Sequence, residues 1–491
     1  MNLGIFLTIS AIVQLINSTP LEDFVNNNDD LSIVKRTILN TTKTDRLTTL
    51  KYNFTSLKWF NESFSSSSIW WHYVYINIPT NLKPSSPIYF HIDNGDNNKD
   101  ADGSNSLISL LASNCQCVTV TMRQIPNQPF RLKLDPNDGL KKEDDLIASS
   151  FYVYMNFKNK FPNSNNIPLL FPMTKAVKRG MDMVVEVLNE KNIEFLENFI
   201  VSGASKRGWV SYLTAAVDPR IFAVIPIVFD FVNLNANFHA QYRSLGGKYT
   251  FALKDYYDYE LSKNIDTIEA YDLFKLVDVN MYLENLRDKI IYMIVGTGDE
   301  FMMPENLEHF IRNLKIQTNN VFVRVLDANH YLTGQEFSLI LSIQGFLVLL
   351  SKGPSYFPKY DWKFSNSLTE GKIEGKISNL KAFESYEFNS YSARTANNKR
   401  IDFRKNTIKG PQQIKWVKNV LVKSSPITKT SLSRNVSVKI SKSNYIGFYL
   451  ESTLKFKGEK QYFVFSSNIN IAPDTYPIGD CIGAECKGQL V

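Results

Sequence analysis

The chain has 491 residues, of which 44% are hydrophobic and 21% charged, proportions that are typical of folded globular proteins and exclude wholesale disorder. At about 150 residues per domain, this length predicts roughly two to three domains. No apolar run reaches about 18 residues, so the sequence predicts no membrane-spanning helix, and four cysteines are too few for a scaffold built on disulfides.

The formal net charge of +7 is unevenly distributed along the chain. Residues 352–491 carry 23 lysines and arginines against 11 acidic residues, whereas the preceding part has a net charge of −5. A basic terminal region on a mildly acidic body favours an anionic partner, such as a glycan, a lipid surface or an acidic protein. The alternative is a solvated, lysine-rich surface. Nucleic acid is not predicted as a partner, because no nucleic-acid-binding motif accompanies the charge.

The N-terminal residues resemble a secretion signal. Residues 3–16 are mostly apolar and have the length of a signal-peptide core, which predicts a signal peptide at 1–18 with cleavage after Ser18. The alternative is a buried N-terminal helix. Glycosylation sequons begin at Asn40, Asn53, Asn61 and Asn435. Together these features predict a secreted, extracellular glycoprotein in which residues 19–68 form an N-terminal segment.

Strand and helix patterns alternate through the middle of the chain. Predicted strands lie at 69–78, 88–92, 118–122, 199–201, 223–228, 290–295 and 321–326, and predicted helices at 143–157, 173–190 and 335–350, with a further helix ending at 216. This alternation predicts an α/β fold, with a mostly parallel sheet covered on both faces, over residues 69–357. Residues 231–286 interrupt it with a tyrosine-rich, helical pattern, which predicts either a cap over the carboxyl edge of the sheet or packing for another domain.

The last part of the chain has a strand-rich sequence pattern in place of the strand–helix alternation. Short β-like runs at 413–422, 437–440, 445–450 and 462–465 predict a separate, basic, β-sandwich-like domain over residues 358–491.

The four cysteines are disulfide candidates. Cys115 and Cys117 are separated by one residue on a predicted strand, so their side chains would share a face, and Cys481 and Cys486 are close enough in sequence to close a small loop. Four cysteines allow three pairings, which the sequence leaves open. The alternative is a zinc site, but the spacings do not match the usual zinc patterns and an exported chain meets oxidising conditions. We therefore predict no metal and no cofactor.

One set of residues points to chemistry. Ser205 lies between a predicted strand and a predicted helix, with Gly203 two positions before it, as in the nucleophile elbow of serine hydrolases. Asp299 and His330 each follow a later strand, so the order Ser, Asp, His is that of the α/β-hydrolases and all three residues fall at one edge of the sheet. In this interpretation His330 takes the proton of Ser205, and Asp299 orients the imidazole. The rival acids are Glu300 and Asp327.

The same interpretation predicts an oxyanion hole. The backbone N–H of Lys206 and one N–H from the loop after residue 92, at Asp93, would hold the negatively charged oxygen. A serine at a helix N-terminus is more often only a cap, and an inactive triad on a hydrolase scaffold is the other alternative. Structural roles are predicted for the four remaining histidines, which are His72, His91, His239 and His309.

Several motifs in consistent order are similar to the PhoPQ-activated pathogenicity-related protein family. The resemblance is carried by residues 124–129 (QIPNQP), 172–176 (PMTKA), 203–209 (GASKRGW), 218–220 (DPR), 298–301 (GDEF) and 472–477 (APDTYP). It implies an α/β-hydrolase-like fold with a β-rich C-terminal region. For a slime-mould branch of the family it also implies a secreted role in repressing proliferation.

Two functions from different classes follow from these observations. The first is an extracellular signal that restrains proliferation by binding a cell-surface receptor or a secreted protein partner, with the basic C-terminal region serving binding. The second is a secreted serine hydrolase, either a peptidase or an esterase, that uses Ser205, Asp299 and His330. The two are compatible, since a signal protein can also cleave a substrate.

Overall fold

The computed structural model describes residues 18–99, 103, 105–317, 320–441 and 444–491. The predicted signal peptide lies outside these residues, apart from Ser18. The α-helices are α1 Pro20–Asn26, α2 Ser106–Cys115, α3 Glu143–Phe157, α4 Leu170–Glu190, α5 Lys206–Val217, α6 Leu234–Ser244, α7 Lys254–Asp258, α8 Leu261–Asn264, α9 Ile268–Val277, α10 Ile311–Gln317 and α11 Glu336–Lys352. Within the described ranges, none of the helices has the length and apolarity needed to cross a bilayer.

The strands follow the predicted alternation and add elements at both ends. They are β1 Lys35–Lys43, β2 Leu47–Lys58, β3 Ile69–Pro79, β4 Pro87–Ile92, β5 Thr119–Met122, β6 Leu196–Ala204, β7 Ile221–Ile227, β8 Lys248–Tyr249, β9 Ile290–Gly296, β10 Val321–Leu326, β11 Lys359–Asn366, β12 Glu370–Ser378, β13 Phe383–Arg394, β14 Asn406–Thr407, β15 Gly410–Pro411, β16 Val417–Pro426, β17 Ser431–Lys439, β18 Ile446–Phe456, β19 Tyr462–Ser466, β20 Asn470–Ala472 and β21 Gln489–Leu490.

A 14-stranded sheet organises the molecule. Its central strands lie in the order β5-β4-β6-β7-β9-β10 and run parallel to one another. On one side β3, β2 and β1 continue the sheet in antiparallel pairs. This strand order, with β5 and β4 exchanged and an antiparallel strand beside them, makes the central part an α/β-hydrolase fold, as the sequence predicts.

Helices cover both faces of the parallel strands. Apolar side chains of α3, α4 and α5 pack with one face, and those of α2 and α11 pack with the other. Every residue of β9 is buried, as expected for a parallel strand between two layers of helices. Because parallel strands end at the same edge, the residues that follow β6, β9 and β10 meet there.

Residues 231–286, which the sequence predicts to form an insertion, contain α6 to α9. The insertion is attached to the core through Trp209, whose indole N–H donates to the carbonyl of Val277 at 2.7 Å. The C-terminal tail, residues 480–491, also contacts the insertion. β21 pairs in parallel with β8, and the Tyr249 hydroxyl donates to the carbonyl of Cys486 at 2.8 Å. His239 joins the same two parts, with ring nitrogens 2.8 Å from Asp480 of the tail and 2.9 Å from Asp266 of the insertion.

The β-rich C-terminal region continues the central sheet. β19 pairs antiparallel with β10, and β18, β13 and β16 follow in order. A second sheet, β11-β12-β17, packs on it through a small cluster that includes Ile373, Phe448 and Leu450. The two packed sheets match the predicted sandwich, but the first of them is continuous with the hydrolase sheet. The division at residues 357 and 358 therefore stays a prediction.

The structure joins Cys115 to Cys117 and Cys481 to Cys486. The expectation that Cys115 and Cys117 share a strand is wrong, because Cys115 is the last residue of α2 and Cys117 precedes β5. Between them Gln116 has a φ of 56°, in the left-handed region. This turn brings the two Cα atoms to 5.3 Å, closer than the ~6.6 Å expected for alternate residues of a strand.

Candidate active site

Ser205 lies at a strained turn between β6 and α5. Its φ and ψ are 56° and −129°, a conformation that residues other than glycine rarely adopt. A Cβ on Gly203 would lie 2.5 Å from the Arg207 carbonyl oxygen, and one on Gly208 would lie 2.9 Å from the Cβ of Phe229. Both glycines are therefore required by the close approach of neighbouring atoms. The strained turn at the end of a parallel strand has the geometry of a nucleophile elbow.

The three residues predicted as a triad meet at this turn. Ser205 Oγ lies 2.9 Å from Nε2 of His330. The other ring nitrogen, Nδ1, lies 2.9 Å and 2.8 Å from the two carboxylate oxygens of Asp299. The backbone N–H groups of Phe301 and Met302 donate to Asp299 Oδ1 at 2.7 Å and 2.8 Å, so the carboxylate is fixed in position. This is the hydrogen-bond relay that serine hydrolases use to activate the hydroxyl.

The rival acids have other partners. Glu300 accepts the backbone N–H of His330 at 3.0 Å and the backbone N–H of Asn406 at 3.0 Å, so it holds the histidine loop rather than the ring. Asp327 accepts from the Thr297 hydroxyl and pairs with Lys405 at 2.8 Å. The carboxylate on the imidazole is that of Asp299.

The surroundings of His330 raise the pKa of its imidazole. Burial lowers the pKa of His330, but the negative charge and hydrogen bond of Asp299 outweigh it, and the net shift is upward. Asp230, which follows β7, is also buried near Asp299. Burial, followed by repulsion from Asp299, raises the pKa of Asp230 to about 8, so its carboxyl is mostly protonated at neutral pH. Asp230 therefore adds little negative charge beside Asp299 at neutral pH.

The two predicted oxyanion donors differ in availability. Lys206 is the first residue of α5, and the N–H groups of a first helical turn have no intrahelical acceptor. The Asp93 N–H, in contrast, donates to the carbonyl of Met122 at 2.8 Å. The prediction for Asp93 is corrected by this contact, because an N–H bonded within the sheet is not free for a substrate oxygen.

An ionic network holds the two residues that follow Ser205. The Lys206 ammonium lies 2.9 Å from Glu143 and 2.8 Å from Asp144, and the Arg207 guanidinium lies 2.6 Å from Glu143. Arg207 also donates through Nε to the carbonyl of Ile125 at 2.6 Å. The two cations hold the pKa of Glu143 well below its usual range, although burial opposes them. The network explains how an arginine occupies the position where the usual elbow has glycine.

Sequence reasoning did not identify Glu143 and Asp144 as part of the site. A signal was present in the motif at 124–129, because Gln128 accepts the N–H of Glu143 at 2.7 Å and donates to its carboxylate at 2.6 Å. The contact of Glu143 and Asp144 with the site could not be inferred directly, because the loop that holds Gln128 and the start of α3 are both distant from Ser205 in the sequence.

A mostly apolar pocket with a cavity volume of about 40 Å³ opens beside Ser205. The hydrolase core contributes Phe151, Trp209, Phe229, Phe301 and Met302. The insertion at 231–286 contributes Phe231, Leu234, Phe238, Leu253, Tyr256 and Leu261. The polar wall is made by Ser205, Lys206 and Asp144. The insertion is thus one wall of a site whose other wall carries the candidate nucleophile.

Most of the other histidines have local partners. The ring of His72 contacts the Ser56 hydroxyl at 2.8 Å, and burial lowers its pKa to about 3. His91 Nδ1 contacts the Ser202 hydroxyl at 2.8 Å. Among the described residues, a candidate metal-ligand group with atoms within 4.8 Å of one another is His239, Cys481 and Cys486. Its two sulfurs are joined to each other, so they are not free as thiolate ligands.

Comparisons with known proteins place the chain in a family. The family model described as "PhoPQ-activated pathogenicity-related protein" matches residues 21–404. The chain belongs to the PhoPQ-activated pathogenicity-related protein family. A curated relative in Dictyostelium discoideum, autocrine proliferation repressor protein A, is 32% identical over 499 residues, which cover 97% of this chain and 95% of the relative.

Solved structures similar to this member of the PhoPQ-activated family include esterases. Acetyl xylan esterase 1 from Thermoanaerobacterium sp. is 14% identical, with a TM-score of 0.44 over 67% of this chain and 93% of that one. A glucuronoyl esterase from Solibacter usitatus is 10% identical, with a TM-score of 0.41 over 67% and 91%.

Proposed function

We propose that the protein is a serine hydrolase that transfers an acyl group from an ester to water. The observation that supports this most strongly is the continuous hydrogen-bond relay from Ser205 through His330 to Asp299. In the first step Ser205 Oγ attacks the ester carbonyl while its proton moves to His330 Nε2. The tetrahedral oxyanion faces the N–H of Lys206 at the positive end of α5.

The second half of the reaction uses the same groups. His330 gives its proton to the leaving alcohol, and the acyl group remains on Ser205. Water then enters, loses a proton to His330 and attacks the acyl carbonyl, which releases the carboxylic acid and restores Ser205. No cofactor is needed for this sequence of steps.

A fluorophosphonate probe tests the proposal, because it reacts only with an activated serine. We expect the purified protein to be labelled on the peptide that contains Ser205 and the Ser205→Ala variant to be unlabelled. Ser211→Ala is a matched control, since Ser211 lies in the same helix and its hydroxyl donates to the Gly208 carbonyl at 2.7 Å. Absence of labelling on folded protein, or labelling that survives in Ser205→Ala, would overturn the hydrolase proposal.

A second candidate function is an extracellular signal that represses proliferation. Its support is the identity of 32% to a relative named autocrine proliferation repressor protein A. The sequons at Asn40, Asn61 and Asn435 are exposed and that at Asn53 is half-buried, which is compatible with glycosylation during export. N-terminal sequencing of protein from conditioned medium should begin near Thr19. Protein found only inside cells with an intact first residue would contradict export.

The two functions can be separated with one variant. If repression requires catalysis, purified Ser205→Ala protein added to cells should lose the effect on proliferation. If repression requires only binding to a receptor or to a secreted partner, the variant should retain it.

We propose that the basic C-terminal region contributes to binding, because Lys415, Lys418 and Lys423 are exposed on and beside β16. Cell binding should then weaken as salt is raised from about 0.05 to 0.5 M, since exposed charges are screened.

A further inference from the structure

The pocket beside Ser205 offers little polar chemistry to a ligand. The Trp209 indole N–H is bonded to the Val277 carbonyl, and the Tyr256 hydroxyl donates to Asp144 at 3.0 Å. The Lys206 ammonium is held between two carboxylates. The polar atoms of these lining side chains are thus already paired within the protein. A sugar ring placed here would leave its hydroxyls unpaired, which is costly in a buried site.

The apolar lining favours a hydrophobic group instead. Phe229 stacks on Trp209 with ring centroids 5.1 Å apart, and Phe151 meets the edge of the same indole at 6.1 Å. Leu234, Leu253 and Leu261 of the insertion also line the pocket. Burying a methylene against such a wall is favourable in proportion to the apolar area removed from water.

The position of His330 indicates which part of an ester enters the pocket. The leaving alcohol must lie near His330 Nε2 to receive its proton. Among the described residues, Ser205 and Lys206 line the pocket, whereas His330 does not. Tyr331, next to His330, is 83% exposed, so the His330 loop borders solvent, whereas most of the residues that line the pocket are buried. The acyl side of the ester is therefore the one directed into the apolar pocket.

We propose that the pocket binds the acyl group of hydrophobic esters and selects acyl chains longer than acetyl. This inference rests on the proposed hydrolase function and adds the substrate class. The insertion at 231–286 is then a specificity element, because it supplies one wall of the acyl pocket.

A series of p-nitrophenyl esters with acetyl, butyryl and hexanoyl groups tests the proposal. Since each buried methylene contributes roughly fourfold to binding, kcat/KM should rise roughly 16-fold from acetate to butyrate, which differ by two methylenes, and further to hexanoate. The Leu253→Trp variant fills the pocket and should lower the ratio of hexanoate to acetate hydrolysis about tenfold. Leu283→Trp is the control, because Leu283 is a buried leucine of the same insertion outside the pocket lining. It should leave the ratio unchanged.

A binding measurement separates this inference from the hydrolase proposal. Calorimetry with the Ser205→Ala variant and the intact esters should show binding of the hexanoate that is at least tenfold tighter than that of the acetate. If no hydrolysis occurs but the hexanoate binds preferentially, the hydrolase proposal fails and the acyl pocket stands. Equal binding of both esters, or a higher kcat/KM for acetate while Ser205 is labelled normally, would overturn the acyl pocket.

Discussion

The Asp299→Asn variant tests the relay at its least exposed position. Asp299 Oδ1 accepts two backbone N–H groups, so in the variant the amide oxygen keeps these bonds and the NH₂ group turns toward His330 Nδ1. An NH₂ group can only donate, so Nδ1 must accept and the ring proton is held on Nε2. Nε2 can then no longer take the proton of Ser205. We expect kcat to fall on the order of 10⁴-fold, or about 5 kcal/mol in activation free energy.

The assay is hydrolysis of a p-nitrophenyl ester between about pH 5 and 9. Because the pKa of His330 is raised, the wild-type rate should fall as the pH is lowered through that pKa, since the protonated ring cannot act as a base. Loss of the Asp299 charge should move the residual acid limb to lower pH. Glu300→Gln and Asp327→Asn are controls that should lose less than about tenfold. A normal rate in Asp299→Asn, or a larger loss in Glu300→Gln, would refute the reasoning.

Three further predictions concern packing and ionisation. Gly203→Ala places a methyl group 2.5 Å from the Arg207 carbonyl oxygen, so denaturant titration should show an unfolding free energy lower by about 1–3 kcal/mol. The control is Gly479→Ala, whose methyl group meets no atom within 4 Å and should leave the unfolding free energy unchanged. Asp230, with a pKa of about 8, is protonated in the folded protein but ionised in the unfolded chain, so it destabilises the folded protein increasingly as the pH rises from about 4 to 8. Asp230→Asn should therefore raise the Tm more at pH 7.5 than at pH 5. Burial lowers the pKa of His239, but the carboxylates of Asp480 and Asp266 outweigh it, and the net shift is upward. The contact of His239 with the tail is therefore strongest below the ordinary pKa of histidine, and it weakens as the pH rises through the raised pKa of His239. Hydrogen exchange of residues 480–491, corrected for intrinsic rate, should accelerate between pH 6 and 9 in the wild type and not in His239→Gln.

The central fold could be predicted because each of its elements carries a local signal. Continuous apolar runs such as 290–295 indicate buried parallel strands, and the order of Ser205, Asp299 and His330 follows from the strand ends. The pairing of β19 with β10 could not be predicted, since it joins residues more than a hundred positions apart, such as Val323 and Ser466. Asp93 was assigned by its position after β4, but whether an N–H is free depends on the neighbouring strand β5.

The outer strand β1 has a consequence for how the protein must be produced. It ends the sheet, and eight of its nine residues are exposed, including Ile38 and Leu39 at 47% and 48%. Such an edge offers unpaired backbone groups to another copy of the chain. The register shifts between Ile38 and Asn40, which bends the edge, and a glycan on Asn40 would stand directly on it. We expect protein made without glycosylation to associate edge to edge at high concentration, and Asn40→Gln protein from a glycosylating host to do the same.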